Sequence, residues 1–308
     1  MLPNGRIVIT GASGWLAQEL MSTLSECCNN CRVIGISRSA PFAITDADRM
    51  DNTAFLKEFS FVEGDVLVHC AFERGSDGKG LMESLDYSGK CFSKAIGGGA
   101  SIVNISSQAV YGSTNGPCCS ERSPFAPDYL YALAKASSEM VLESLWGMGR
   151  SACGGRTSLR LASLMGVSGG RAPDNVLGKF IDAAIGGKPI RIVGGGQKFS
   201  FLDIHDAVGA IISILDMESS KWMPAYNVTP GSQIGIVEMA DLVVSTVSRK
   251  MGAKPVQVIL EKTDTSLDPG GDNSLIRGDT GWKQERSMAQ IVEDTVDFKL
   301  ARRAEENG

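Results

Sequence analysis

Residues 6–17 read Arg-Ile-Val-Ile-Thr-Gly-Ala-Ser-Gly-Trp-Leu-Ala, an apolar run of strand length, then a turn with two glycines, then the start of a helical pattern. An uninterrupted apolar run reads as a strand buried on both faces, because a strand with one wet face would alternate. Four further runs have this character: Arg32 to Ile36, Val66 to Ala71, Ser101 to Ser106 and Ser158 to Leu161. Between them, Trp15 to Cys27, Ala54 to Phe59, Leu81 to Ile96 and Tyr129 to Trp146 carry the spacing of helices. Strands alternating with helices require crossovers, so the expected fold is a doubly wound α/β sheet of Rossmann type. After about residue 166, glycine pairs and the polar stretch Thr263 to Ser274, read as a loop, punctuate shorter elements. The expected organisation is a dinucleotide-binding domain over 1–165, with 166–308 forming mainly a smaller C-terminal lobe that returns some segments to the sheet. The charged last residues, Ala301 to Gly308, are expected to end a helix.

Composition narrows the function. A net charge of −5, from 35 acidic and 30 basic residues scattered along the chain, offers no basic footprint for nucleic acid. No apolar run reaches the roughly 18 to 20 residues that span a bilayer, and the chain passes from Met1 into a strand without a signal-peptide layout. The expected compartment is the cytoplasm. Eight cysteines stand against two histidines, and Cys27, Cys28 and Cys31 have no downstream partner pair of zinc-ligand form. Free, partly buried thiols are expected, with no metal and no disulfide.

The glycine turn gives the first chemical reading. In Gly11-Ala12-Ser13-Gly14-Trp15-Leu16, Gly11 permits the tight turn and Gly14 lets a pyrophosphate approach the amides at the helix N-terminus. The end of the second strand normally reads the adenosine ribose. Here it is Gly35-Ile36-Ser37-Arg38, with no carboxylate for a 2′-hydroxyl and two donors for a 2′-phosphate. That favours NADP over NAD.

Tyr131-Ala-Leu-Ala-Lys135 places a phenol and an ammonium one helical turn apart on the same face. A cation beside a phenol favours phenolate, and a lowering of three pKa units corresponds to about 4 kcal/mol. Tyr131 can then act as base toward an alcohol or acid toward a ketone. Ser107, where the fourth strand run gives way to Gln108-Ala-Val-Tyr-Gly112, stands where such sheets deliver side chains to the ligand crevice, and its hydroxyl can bond the substrate oxygen.

Taken with Asp65-Val-Leu-Val-His-Cys-Ala71, Leu159-Arg-Leu-Ala-Ser-Leu-Met-Gly166, Phe201-Leu-Asp-Ile-His-Asp-Ala207 and Tyr226-Asn-Val228, these segments resemble an extended short-chain dehydrogenase/reductase of the NAD-dependent epimerase/dehydratase family. The resemblance implies a catalytic set of Ser107, Tyr131 and Lys135, with Lys135 also holding the nicotinamide ribose. It implies that Ala71 lies against the cofactor, that Asp46 faces the adenine, and that Asn175 and Val176, with Ser107 and Gln108, contact substrate. It further implies a homodimer formed through the helices around Leu81 to Ile96 and Tyr129 to Trp146. The expected activity is epimerisation or keto reduction of a nucleotide sugar. Two departures bear on this. Phe199-Ser-Phe201 stands where many nucleotide-sugar enzymes have Arg-Asp-Phe, leaving Lys198 or Arg277 as replacement cations. Gln108-Ala109 stands where dehydratases carry an acidic pair, which disfavours loss of water. Reduction of a small ketone or aldehyde, or cofactor binding without catalysis, are the alternatives.

Overall fold

The computed structural model describes residues 5–28, 31–38, 48–73, 77–113, 118–149, 154–261 and 270–307. Its elements run β1 (Arg6–Thr10), α1 (Trp15–Cys27), β2 (Arg32–Ser37), β3 (Asp48–Asp51), α2 (Asn52–Glu58), β4 (Val66–His69), α3 (Gly78–Gly97), β5 (Ser101–Ser107), α4 (Leu130–Met148) and β6 (Arg156–Leu161). They continue with β7 (Ser163–Met165), α5 (Val176–Ile185), β8 (Ile190–Val193), β9 (Lys198–Phe199), β10 (Phe201–Asp203), α6 (Ile204–Leu215) and β11 (Ala225–Val228). The last are β12 (Ile234–Gly235), α7 (Ile236–Met251), β13 (Val258–Glu261), α8 (Ser274–Thr280) and α9 (Met288–Asn307).

Among the described residues, seven strands form one all-parallel sheet in the order β11-β6-β5-β4-β1-β2-β3. The uninterrupted apolar runs serve two cores at once. Ile7, Ile9, Val66, Val68, Val103 and Ile105 point into a core closed by α1 and α6, whereas Val8, Leu67 and Ile102 point into one closed by α2, α3 and α4. That alternation is the period of two of a pleated strand with an apolar layer on each side. The winding reverses between β1 and β4, so the crevice above their C-terminal ends is the place where such sheets receive ligands.

β3 and β11 are strands that the periodicity left out. β3, Asp-Arg-Met-Asp, is a charged edge strand with mostly exposed side chains, and charge is what keeps an edge from pairing further. β11 is only four residues long but fully buried, and it brings the C-terminal half back to close the sheet beside β6. A further core gathers α5, α7 and α9 around Ile181, Met239, Val243 and Val292, with the short pairs β7/β10, β8/β13 and β9/β12 alongside. Residues 263–269 of the expected loop lie outside the described residues, and Ser274 opens α8. Among the described residues no helix is long and apolar enough to cross a membrane.

The expectation of free thiols is corrected at one place. Cys28 caps the end of α1 and Cys31 immediately precedes β2; their Cα atoms are 5.8 Å apart and the two form a disulfide. Spacing alone gave no view of that approach. Cys27 stays free and exposed, and Cys91 free and buried.

Candidate active site

The crevice begins at Gly11, directly after β1. Its φ of +71° is a conformation that side chains disfavour, and a Cβ there would stand 2.8 Å from the backbone N and Cα of Ala71. Glycine at 11 therefore lets the turn after β1 lie against the chain leaving β4, where Cys70 N donates to Thr10 O at 3.2 Å. Gly14 caps α1 with no side chain bonded to the helix end, and the first turn carries no acid. The amides of Trp15, Leu16 and Ala17 have no acceptor within their own helix, as at every helix start, so a pyrophosphate fits this end by charge and by donor supply. Trp15 and Leu16 also pack on the core below, and the Trp15 indole donates to Ser168 O at 3.3 Å.

At the tip of β2, Ser37 is buried and donates to Ser13 Oγ at 3.0 Å, tying the end of that strand to the glycine turn. Arg38 is exposed beside it. Asp46 lies outside the described residues.

The far side of the crevice is built from β4, β5 and α4. Lys135 is 5% exposed, and its ammonium donates to Ile105 O of β5 at 2.7 Å. Burying that stem and charge fixes the height of α4 above the sheet, because an ammonium taken out of water needs such an acceptor. Tyr131, one turn earlier and half-buried, has its ring centroid 5.8 Å from the Lys135 nitrogen. The helix thus brings phenol and ammonium together as their spacing predicts. Ser107 ends β5 and caps the single turn Gln108–Tyr111, accepting from Ala109 N at 3.2 Å. A hydroxyl that accepts this bond still has its own proton to donate.

Two residues expected to meet substrate also have structural duties. Asn175 caps α5, accepting from Gly178 N at 3.0 Å while its amide donates to Met165 Sδ. Val176 packs against the core of the second half. Gln108 is buried. Lys198 and Arg277, the expected replacement cations, are both exposed, on β9 and α8.

Three features were not anticipated. Phe72, immediately after Ala71, holds its ring centroid 4.0 Å from the Lys135 nitrogen and meets the Tyr131 ring edge to face at 6.2 Å. No periodic pattern marks a single aromatic in a connection. Beneath the site, Arg160 of β6 forks onto Glu139 of α4 at 2.8 and 3.1 Å, with both side chains almost wholly buried, and also reaches Tyr111 OH at 2.8 Å. Ser106 Oγ bonds the same carboxylate. Tyr111 OH in turn donates a hydrogen bond to Asn227 Oδ1 of β11 at 2.7 Å. This network anchors α4 to β5, β6 and β11 one turn below Lys135.

The third feature is His69, fully buried at the end of β4. Its Nε2 lies 2.8 Å from Ser88 Oγ and its Nδ1 2.8 Å from Thr10 Oγ1. Ser88 gives its proton to Ser84 O, so it accepts from Nε2–H, and Thr10 donates to Nδ1. The imidazole is neutral: burial, reinforced by the Lys135 charge, pushes its pKa down to about 3. Burial likewise pushes the neighbouring Cys70 thiol up to about 12.

Comparison with known proteins agrees with this architecture. The β subunit of methionine adenosyltransferase 2 from Pongo abelii is 31% identical over 154 residues, covering 47% of this chain and 45% of that protein; the chain thus matches about half the length of this relative. The dTDP-D-glucose 4,6-dehydratase of Homo sapiens is 21% identical over 96% of this chain and 91% of its own. Among solved structures, the UDP-glucuronic acid 4-epimerase of Bacillus cereus, in complex with UDP-glucuronic acid and NAD, superposes with a TM-score of 0.79 at 18% identity, covering 96% of this chain and 99% of that one. The family model described as NAD dependent epimerase/dehydratase matches residues 7–229. With most of the sheet and the whole crevice inside that match, the chain belongs to the NAD-dependent epimerase/dehydratase family of extended short-chain dehydrogenases/reductases.

Proposed function

We propose that the protein moves a hydride between a nicotinamide dinucleotide and a secondary alcohol or ketone of a nucleotide-linked sugar, as an epimerase or a ketoreductase. The observation that carries this reading is the Tyr131–Lys135 pair held over the crevice by the Lys135 bond to Ile105 O. Residues 1–165 hold the cofactor and 166–308 mainly hold the substrate. The turn at Gly11, Ser13 and Gly14, with the amides of Trp15 and Leu16, receives the pyrophosphate, while Ser37 and Arg38 face the adenosine ribose and Ala71 the nicotinamide half. When bound, the nicotinamide supplies or accepts the hydride. Tyr131 gives a proton to, or takes one from, the substrate oxygen, Ser107 donates a hydrogen bond to the same oxygen, and Lys135 stabilises the phenolate. Gln108 and Asn175 line the approach for the sugar. The exposed Arg38 supports NADP, whereas the epimerase neighbour named above is in complex with NAD.

The same reading gives a cytoplasmic homodimer joined through α3 and α4, where Met82, Leu133 and Met140 are each more than half exposed. Light scattering on the purified chain checks it.

The catalytic test follows NADH and NADPH absorbance with a panel of UDP- and dTDP-linked 4-keto sugars and of small ketones, for wild type and Tyr131→Phe. Turnover of a nucleotide sugar that falls by 10²–10⁴-fold in the variant is the expected result. Undiminished turnover in Tyr131→Phe overturns the assignment, and turnover confined to small carbonyls transfers the reading to that substrate class. A second reading rests on the relative that is a subunit of methionine adenosyltransferase 2: a dinucleotide-binding partner without turnover of its own. Cofactor binding by calorimetry with no turnover across the panel would favour it.

A further inference from the structure

Between Ala71 and the residues leading to α3, one aromatic ring touches both members of the proton-handling pair. Phe72 has its centroid 4.0 Å from the Lys135 nitrogen, within the reach of a cation–π contact, and its ring lies at 84° to that of Tyr131 with centroids 6.2 Å apart. Lys135 is thus held from two sides, by a backbone carbonyl of β5 at 2.7 Å and by the face of Phe72 projecting from the end of β4. Three titratable groups near it are accounted for among the described residues. His69 at the end of β4 and Cys70 just after it are kept neutral by burial, and Glu139, one turn along α4, is engaged by Arg160 and Ser106.

We propose that Phe72 is a positioning residue for Tyr131 and Lys135: its ring fixes the ammonium in a dry place below the phenol and sets the tilt of the phenol itself. A ring face favours the charged ammonium electrostatically, and its bulk keeps water from screening the ammonium from the phenol oxygen. An aliphatic side chain of similar size keeps the bulk but loses the negative face of the ring. The proposal rests on the functional reading above for the identity of the pair, so its test includes a readout that needs no substrate.

Phenolate absorbance near 295 nm is titrated on the full-length protein, and the Tyr131 contribution is isolated by subtracting the curve of the matched Tyr131→Phe protein. The same subtraction is made in Phe72→Leu, Phe72→Met and Phe72→Tyr backgrounds, with thermal unfolding as a check on folding. The Tyr131 midpoint should rise by about half to one pH unit in Phe72→Leu and Phe72→Met, and return to the wild-type position in Phe72→Tyr, whose ring restores the cation–π face. Two folded aliphatic variants with an unmoved midpoint would overturn the proposal, as would a Phe72→Tyr midpoint displaced as far as that of Phe72→Leu. If instead the Tyr131→Phe protein turns substrate over undiminished while the titration shifts as expected, the functional reading fails and the positioning role of Phe72 stands.

Discussion

Lowering the pH from 7 to 5 should destabilise the wild-type fold by about 2 kcal/mol more than it destabilises His69→Gln, and this difference isolates one buried imidazole. The folded pKa of His69 is pushed down to about 3 by burial, while an unfolded-chain histidine titrates near 6.5. Between these values the unfolded state binds a proton that the native state refuses. Stability is therefore fully present above pH 6.5 and is lost as pH falls, at about 1.4 kcal/mol per unit. By pH 3 the accumulated loss is about 4–5 kcal/mol, a large part of the roughly 5–15 kcal/mol that holds a typical domain folded. The structural reason is the dry position of the ring at the end of β4, where a positive imidazole would lose its hydration and stand near the Lys135 charge. Urea unfolding of both proteins at pH 7 and pH 5 measures the effect. Carboxylates whose pKa is lowered by local hydrogen bonds, such as Asp128 and Asp272, are common to the two proteins and cancel in the comparison. Equal losses between pH 7 and 5 would show that His69 is protonated in the folded state, and the reasoning would fall.

Glu139→Gln should cost about 3–5 kcal/mol in urea unfolding, because it leaves Arg160 charged and buried without its carboxylate. Gly11→Ala should abolish cofactor binding by calorimetry while leaving a folded chain, since its methyl group meets the backbone of Ala71 at 2.8 Å in a conformation that alanine disfavours. His205 responds in the opposite sense to His69. Its hydrogen bond to Asp203 raises its pKa, so its contribution is fully present below about 6.5 and is lost as pH rises through the folded value. His205→Gln should flatten the fall in Tm that the wild type shows on the alkaline side of pH 6.5. Arg38→Ala should weaken NADPH binding more than NADH binding, and equal effects on both would remove the argument for NADP.

Much of the fold could be read because each long element declared its own period. β1 and α1 run from Arg6 to Thr10 and from Trp15 to Cys27, as the apolar run and the glycine turn between them require. The strand expected to reach Ala71 stops at His69, and Cys70 and Ala71 continue beyond the sheet. What stayed hidden has no one-dimensional signature. Phe72 matters through two side chains some sixty residues away, and Glu139 and Arg160 meet only once α4 lies across β6. Asn175 is a further case: nothing in the sequence reading pointed to its side chain capping α5. Cys28 and Cys31 show the same weakness at short range, because the spacing left open whether the connection brings their sulfurs together.

The position of β11 makes the two halves inseparable. Residues 225–228 lie against β6, so cutting the chain near residue 165 would strip β6 of its outer neighbour and leave Tyr111 OH without Asn227 Oδ1 to donate to. A fragment ending there would present bare amides and carbonyls along a hydrophobic border, a template for self-association. The N-terminal half should consequently be insoluble when produced alone, and acquisition of a finished sheet during synthesis must wait until some sixty residues beyond that point have emerged.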